Sequence, residues 1–230
     1  MSFLRYDYLL FDADNTLFDF DRAEEKALLR TLEAFGYPVD GDTQALYRAV
    51  NRILWRRLDF GEIRREELVV ERFAVFDRVM GGGKDPKALN RFYLDRLAEG
   101  DDLLPGAEEL CRFLATGFTM ALVTNGVAQA QRGRLSRSPL KELFPYVFIS
   151  EEVGWQKPQR EFFQAVSCAM DIRDPRRAVV IGDNLVSDIQ GGLNAGFDAI
   201  WYNPSGLPNP TSIIPTWIAP SFSALKAYLM

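Results

Sequence analysis

Short apolar segments of strand length alternate with helical patterns along most of this sequence. The segments lie at 6–12, 118–124, 146–150, 177–183 and 198–203. Strands that alternate with helices are typical of a parallel sheet covered by helices on both faces. The alternation therefore predicts an α/β fold built on a doubly wound, Rossmann-like parallel sheet.

The stretch from about residue 19 to about residue 104 departs from this alternation, because it contains successive helical patterns without a convincing strand. Its first pattern begins with Asp21 and Glu24 in the spacing of a capping box and ends at Gly36. The apolar stripe of that pattern comprises Leu28, Leu29, Leu32 and Phe35. The predicted domains are an α/β core at 1–18 and 105–230 and an inserted all-helical domain at 19–104.

The charge and hydropathy of the chain argue against two classes of partner. The net charge is −5, whereas proteins that bind nucleic acids usually present a basic surface. No apolar run reaches the roughly 18 residues that a membrane span needs, and the first residues lack the pattern of a secretion signal. We therefore expect a cytoplasmic protein that binds neither a nucleic acid polymer nor a membrane.

The absence of histidine narrows the possible chemistry further. It excludes the Ser-His-Asp and Cys-His arrangements and every zinc site that uses histidine. Cys111 and Cys168 form no CxxC pattern, so we expect two buried free thiols and neither a zinc site nor a dithiol redox centre. Any acid or base must therefore be a carboxylate, a lysine or another side chain.

Polar side chains follow three of the predicted strands. In open parallel α/β sheets, ligands bind beyond the carboxyl ends of the strands, where side chains face a crevice instead of the core. Lys157 lies just before Pro158, which suits the first position of the helix that "QREFFQAVSCAM" predicts. A helix cap or a polar turn would explain "DADNT" if it stood alone. The residues at the strand ends are Asp12, Asp14, Thr124, Asn125, Asp183 and Asp188.

Taken in order, the segments "DADNT", "VTNG", "QKP" and "GDNLVSD" resemble the four motifs of the haloacid dehalogenase (HAD) superfamily. The helical insert after the first motif resembles the C1-type cap domain of that superfamily, so the resemblance covers the whole chain. It implies a HAD-type core, a hydrolase activity and Mg²⁺ as the cofactor. Asn15 stands where glycine is frequent in the superfamily, but asparagine tolerates left-handed backbone geometry.

The resemblance also implies a role for each motif residue. Asp12 would attack phosphorus to form an aspartyl-phosphate, and Asp14 would protonate the leaving oxygen and later deprotonate water. Mg²⁺ would be bound by Asp12, by Asp183 and by the main-chain carbonyl of Asp14. The residues that bind the phosphate oxygens would be Thr124 through its hydroxyl, Asn125 through its nearby main chain, and Lys157.

Asp188 and Asn184 are expected beside these residues. By resemblance, Asp188 would hold Lys157 or the surroundings of the metal. The alternative, which is compatible with that role, is that Asp188 belongs to a capping box in "SDIQ" that begins a helix ending near Gly196. Asn184 stands where a further acid is often found, so we expect it beside the metal ligands and not among them.

Asp14 distinguishes the reactions of the superfamily. Haloacid dehalogenases lack an aspartate at this position, so its presence points to phosphoryl transfer by a phosphatase or a phosphomutase. The stretches 49–63, 149–158 and 215–221 resemble the branch of pyrimidine 5'-nucleotidases. Two alternatives stay open: a sugar-phosphate phosphatase or phosphomutase, and a catalytically silent phosphate-binding protein. The second alternative predicts damage to the motif residues, and the sequence shows none.

The helical domain would supply contacts to a nucleotide base. Trp55 and Phe60 could offer a face to a flat base, and Asn51 could hydrogen-bond its edge. Aromatic side chains at helical spacing are more often part of a core, which is the alternative. We expect a small phosphate monoester, in particular a nucleotide, as the partner, and a monomer or homodimer as the assembly.

Overall fold

The computed structural model describes residues 5–230 and contains a six-stranded sheet in which every pair of neighbouring strands is parallel. The spatial order of the strands is β3-β2-β1-β4-β5-β6. The predicted α/β fold with a parallel sheet is therefore confirmed. The strands are β1 (Tyr8–Phe11), β2 (Thr119–Thr124), β3 (Tyr146–Ile149), β4 (Ala178–Gly182), β5 (Asp198–Tyr202) and β6 (Trp217–Ala219).

Strand β6 was not predicted from the sequence. It is three residues long and pairs with β5 at one edge of the sheet. Pro215 precedes it closely and Pro220 follows it directly. Prolines on both sides and a length of three residues leave no room for the alternation of apolar and polar residues by which a strand is recognised.

The chain divides into two compact units. One comprises the chain up to Phe20 together with Asp101–Met230, and the other comprises Asp21–Gly100. We propose that these units correspond to the predicted α/β core and inserted helical domain. The helices in the second unit, the first of which starts at its boundary, are α1 (Phe20–Phe35), α2 (Gly41–Asp59), α3 (Arg65–Val79) and α4 (Pro86–Leu97).

The start of α1 differs from the prediction. The helix begins at Phe20, so Asp21 lies within its first turn and not at the cap position. Glu24 is buried, and its carboxylate accepts a hydrogen bond of 2.8 Å from Asn51 Nδ2 on α2. The predicted capping box was therefore wrong, because a contact between helices occupies the side chain that the box requires. The end of the helix is confirmed, because Gly36 follows it with a left-handed φ of 69°.

Buried aromatic rings form the interior of the helical unit. Tyr47 on α2 packs against Phe73 and Phe76 on α3 and against Tyr93 on α4, with ring centroids 5.2 to 5.9 Å apart. All four residues are completely buried. Aromatic pairs at such distances stabilise a core beyond the area that they bury, so the three helices hold one another through this cluster.

Both faces of the sheet are buried. Leu9 and Phe11 belong to a cluster of apolar side chains on one face, and Leu10 belongs to a separate cluster on the other face. Helices flank the sheet in the α/β unit, as the doubly wound prediction requires. They are α5 (Ala107–Leu114), α6 (Ala128–Arg137), α7 (Ser150–Val153), α8 (Arg160–Ala169), α9 (Gly191–Asn194) and α10 (Phe222–Leu229).

The two cysteines differ in burial. Cys111 is buried as expected, whereas Cys168 is exposed, so the prediction of two buried thiols was wrong for Cys168. Helix α8 buries Phe162, Phe163 and Val166 on one face, and Cys168 falls outside that apolar stripe. Within residues 5–230, no helix combines the length and the apolar character needed to cross a membrane.

Gly192 provides a test of how tightly α9 packs on the sheet. A Cβ atom at this position would lie 2.8 Å from Val180 Cγ2 and 3.0 Å from Val180 Cβ on strand β4. We expect Gly192→Ala to lower the free energy of unfolding by about 1–3 kcal/mol, because overpacking a close-packed contact is destabilising. Urea denaturation measures this change.

Gly41→Ala is the matched control for this substitution. Gly41 is the first residue of α2, and a Cβ there would meet nothing within 4 Å. We expect the control to leave the free energy of unfolding unchanged or to raise it slightly, because alanine favours a helix over glycine. Equal stabilities of the two variants would contradict close packing at Gly192.

Candidate active site

Asp12 lies directly beyond the carboxyl end of β1, a central strand of the sheet. Its backbone N–H donates to Ile181 O over 2.8 Å, which continues the pairing of β1 with β4. Lys157 Nζ donates to its Oδ1 over 2.7 Å, and Thr16 Oγ1 donates to its Oδ2 over 3.0 Å. The carboxylate is thus buried and held at both oxygens, and each oxygen keeps a further lone pair.

Lys157 is completely buried among acceptors. Its Nζ donates to Asp12 Oδ1, to Asp188 Oδ1 over 2.6 Å and to Val123 O over 2.8 Å. An ammonium group has three N–H donors, and three acceptors surround this one. The structure thus places Asp188 against Lys157.

Asn125 fixes the main chain that carries Lys157. Its Nδ2 donates to Lys157 O over 2.8 Å, and its Oδ1 accepts from Lys157 N over 2.9 Å. Thr124 is buried beside it, and the Thr124 hydroxyl oxygen accepts a hydrogen bond of 3.0 Å from Gly126 N. The end of β2 and the Lys157 segment are therefore joined at two points.

The helix after Lys157 starts later than predicted. Gln159 is the cap residue of α8 and Arg160 is its first residue, so Pro158 does not occupy the first helical position. The bond between Lys157 and Pro158 is cis. Gln159 N donates to Gln156 O over 2.7 Å, which closes a turn across Lys157 and Pro158. The prediction for Pro158 was wrong because this turn takes the place of the first helical turn.

Three carboxylates come close together at the carboxyl ends of β1 and β4. Carboxylate oxygens of Asp12, Asp183 and Asp188 all lie within 4.8 Å of one another. The Asp183 carbonyl oxygen accepts a hydrogen bond of 2.8 Å from Trp201 Nε1. Within residues 5–230, no protein donor binds the Asp183 carboxylate, which leaves it open to a cation. An all-oxygen set of this kind fits Mg²⁺.

Asn184 and Asp188 shape the turn that follows β4. Asn184 Oδ1 caps the π-helical turn Leu185–Gln190 by accepting from the backbone N–H groups of residues 186 and 187. The capping box predicted in "SDIQ" was therefore wrong, since the cap lies upstream of Ser187. Asp188 Oδ2 accepts from Asn184 N over 3.1 Å. A Cβ at Gly182 would lie 2.3 Å from that same oxygen, so glycine is needed there.

Asp14 points to a different set of partners. Its Oδ1 forms an ion pair with Arg134 Nη1, and its Oδ2 accepts a hydrogen bond of 2.6 Å from Gln131 Nε2. Its side chain is not among the three clustered carboxylates, and the metal role predicted for its main-chain carbonyl stays a prediction. Asn15 next to it has a left-handed φ of 58°, as its tolerance of that geometry allows.

Burial is the largest single influence on the pKa values of Asp12, Asp183 and Lys157. Burial raises the pKa of the Asp12 carboxyl to about 7, while Lys157 opposes that shift. Burial also raises the pKa of Asp183 well above its usual range, and the charges of Asp12 and Asp188 raise it further. For Lys157, burial lowers the pKa, but Asp12 and Asp188 outweigh it and leave that pKa raised. Ionising both Asp12 and Asp183 is therefore unfavourable unless further positive charge lies nearby, and a bound cation would supply it.

The structure gives different surroundings to the three residues predicted to contact a base. Asn51 is buried in the helical unit, where its Nδ2 binds Glu24 and its Oδ1 accepts from Arg72 over 3.4 Å. Trp55 is partly buried against the apolar cluster of the same unit. Phe60 is 58% exposed, and the Arg56 guanidinium carbon lies 5.8 Å from its ring centroid. Their contacts to a base stay predictions.

Four residues at the site were missed by the motif analysis. Thr16 follows Asp12 by four positions within "DADNT", so its hydroxyl was a visible signal. Gln131 and Arg134 are three positions apart on α6, a spacing that places both on one face of a helix. Trp201 lies in a buried strand, and nothing in its sequence position indicates that it binds the Asp183 carbonyl.

A parallel α/β sheet whose central strand ends in a buried, lysine-bound aspartate beside further carboxylates has the geometry of a candidate active site built on carboxylates. The sequence model of haloacid dehalogenase-like hydrolases matches residues 6–196, and the chain belongs to that family.

Curated relatives span nearly the whole chain. The HAD-hydrolase YfnB of Bacillus subtilis is 39% identical over 93% of this chain and 91% of its own length. The pyrimidine 5'-nucleotidase PynA of Streptococcus pneumoniae is 38% identical over 96% of this chain and 93% of its own. The pyrimidine 5'-nucleotidase YjjG of Escherichia coli is 32% identical over 98% of this chain and 99% of its own length. A crystal structure of YfnB bound to magnesium superimposes with a TM-score of 0.93, covering 98% of this chain and 99% of that one.

The raised pKa of Asp183 leads to a prediction about stability. A carboxyl whose pKa is raised by folding destabilises the folded protein increasingly as the pH rises above its unfolded-state pKa of about 3.9. With a chelator present at pH 8, we expect Asp183→Asn to raise the free energy of unfolding, because the substitution removes a carboxylate whose charge folding disfavours. The gain should shrink as the pH falls towards about 4. Urea denaturation at a series of pH values measures both effects.

Asp7→Asn is the control for this prediction. Asp7 lies just before the opposite end of β1, where it forms a half-exposed ion pair with Arg177. Such surface pairs contribute little to stability, so we expect no gain from the control at any pH. An Asp183→Asn variant that is no more stable than the native protein at pH 8 would contradict the prediction.

Proposed function

We propose that this hydrolase is a Mg²⁺-dependent phosphatase that acts on pyrimidine nucleoside 5'-monophosphates. The observation that carries the proposal is the anchoring of Asp12 by Lys157 and Thr16 beside the open carboxylate of Asp183. Full-length similarity to two pyrimidine 5'-nucleotidases supports the choice of substrate. The presence of Asp14 supports phosphoryl transfer over dehalogenation.

Asp12 is suited to be the nucleophile. Its two oxygens are fixed by neighbouring donors, and a fixed nucleophile loses little entropy when it meets phosphorus. In the first step a bond forms between an Asp12 oxygen and phosphorus while the bond from phosphorus to the leaving oxygen breaks. Asp14 donates a proton to that leaving oxygen, and an aspartyl-phosphate results.

Water completes the reaction in the second step. Asp14 takes a proton from the water, whose oxygen attacks phosphorus and releases inorganic phosphate and the free Asp12 carboxylate. The ammonium group of Lys157 offsets the negative charge near Asp12 during both steps. Asp12 and Asp183 would hold Mg²⁺, which would supply additional positive charge to the phosphate oxygens.

Phosphate release tests the activity and its substrate. We expect release from UMP, dUMP and dTMP to exceed release from purine nucleotides and sugar phosphates, and to stop when a chelator removes Mg²⁺. Asp12→Asn should lower kcat at least about 10³-fold, since no other group can take the place of the nucleophile. Asp7→Asn, a control just before the opposite end of β1, should retain activity.

The other outcomes of this assay separate the alternatives. Preferred release from sugar phosphates would replace the nucleotide substrate and keep the mechanism, and conversion of one sugar phosphate into its isomer would indicate a phosphomutase. No release from any of these compounds would favour a phosphate-binding protein. Full activity of Asp12→Asn would overturn the nucleophile assignment.

Phe60 allows a separate test of base recognition. If its exposed ring contacts the base, we expect Phe60→Ala to raise KM for dTMP by about 2- to 10-fold, because an aromatic contact contributes about 0.5–1.5 kcal/mol. KM for ribose 5-phosphate, which has no base, should not change. Ile53→Ala is the matched control, because Ile53 lies on α2, the helix whose C-cap residue is Phe60, and is 61% exposed. Equal effects of Phe60→Ala on both substrates would contradict base contact.

A further inference from the structure

Two side chains of α6 bind the carboxylate of Asp14. Arg134 Nη1 contacts Oδ1, and Gln131 Nε2 donates to Oδ2 over 2.6 Å. A guanidinium and an amide nitrogen can donate hydrogen bonds but cannot accept them. Both oxygens of Asp14 therefore act as acceptors, and the plane of the carboxylate is defined at two points.

Arg134 differs from an ordinary surface arginine. Its side chain is 1% exposed, and its guanidinium carbon lies 4.8 Å from the ring centroid of Phe18 and 5.8 Å from that of Phe20. The rings and the burial restrict the guanidinium to one location. Loss of the Asp14 carboxylate would leave the buried Arg134 charge without this partner, which costs more than the loss of a partner by an exposed charge.

The side chain of Gln131 is also restricted in position. It is buried, and its amide lies against the backbone of Gly126, where a Cβ would be 2.1 Å from Gln131 Nε2. Gly126 follows the end of β2 and belongs to the "VTNG" motif. The absence of a side chain at Gly126 thus leaves the space through which Gln131 reaches Asp14.

We propose that Arg134 and Gln131 are positioning residues that orient Asp14 for proton transfer to the leaving oxygen. This inference rests on the proposed function, in which Asp14 is the acid and base. Neither residue belongs to the four motifs. What they share is that each contacts one oxygen of the Asp14 carboxylate, Arg134 at Oδ1 and Gln131 at Oδ2.

The expected effect is a loss of rate and not of affinity. Proton transfer by a positioned side chain contributes about 10²- to 10⁴-fold to a rate, and loss of its orientation forfeits part of that contribution. For dTMP we expect Arg134→Met and Gln131→Ala each to lower kcat by about 10- to 100-fold and to change KM less than about 2-fold. Arg134→Lys should restore part of the rate, because lysine can donate to one oxygen.

The leaving group distinguishes positioning from a general structural role. The 5'-oxygen of a nucleoside needs a proton to leave, whereas p-nitrophenolate leaves without one. In single turnovers with excess enzyme, we therefore expect the variants to slow leaving-group release from dTMP much more than from p-nitrophenyl phosphate. Equal slowing on both substrates would overturn the proposal. Urea denaturation identifies any variant that fails to fold.

A double-mutant cycle with Asp14→Asn separates this inference from the proposed function. If Arg134 acts through Asp14, Arg134→Met should cause no further loss when Asp14→Asn is already present. Unchanged activity of Asp14→Asn alone would overturn the acid–base role of Asp14. A strong loss in Asp14→Asn with full activity in Arg134→Met and Gln131→Ala would overturn only the positioning role.

Two further variants act as controls. In the native background, Gly126→Ala should reduce the rate, because the added Cβ would displace the Gln131 side chain. In the Gln131→Ala background, the same substitution should cause no further loss of rate, because the Gln131 side-chain atoms that the Cβ would meet are no longer there. A further loss in that background would contradict the proposed path through Gln131. Arg132→Met on the same helix removes a half-exposed pair with Glu152 and should leave the rate unchanged.

Discussion

The geometry of the candidate active site depends on the three hydrogen bonds that the ammonium group of Lys157 donates. This group joins the end of β1 through Asp12, the end of β2 through Val123 O and the turn after β4 through Asp188. These three segments are far apart in sequence, and only the parallel sheet brings them together. Because Lys157 is buried, its positive charge acts in a medium where attraction to carboxylates is stronger than in water. In the proposed function, the same charge that holds the site together would also attract the phosphate group of the substrate.

The sequence predicted the core of this site because a simple rule governs parallel sheets. Residues that follow buried strands reach one edge, so Asp12, Thr124 and Asp183 could be assigned to a common location before any distance was known. Thr16 and Arg134 follow no such rule. Their contacts with Asp12 and Asp14 depend on how a loop and a helix fold back, and a linear pattern does not encode that path.

Predictions from local sequence patterns were wrong where a tertiary contact competed with the pattern. Glu24 has the spacing of a capping residue but binds Asn51 of another helix. Pro158 suits the start of a helix but lies in the turn that carries Lys157. In each case the local pattern reflects a real preference of an isolated segment, and burial of a polar side chain or fixation of Lys157 determined the final geometry. The helix ending at Gly36 had no such competitor, and its prediction was confirmed.

The short length of the edge strand β6 limits the pairing of this sheet with a strand of a second molecule. An edge strand presents unpaired backbone groups to which a strand of a second molecule can add, and this is a common route to aggregation. The two edge strands of this sheet have only four residues in β3 and three in β6. Pro215 and Pro220 on either side of β6 prevent it from being extended, since proline has no N–H to donate. The sheet therefore offers little backbone to a neighbouring molecule, although its strands are among the most apolar segments of the chain.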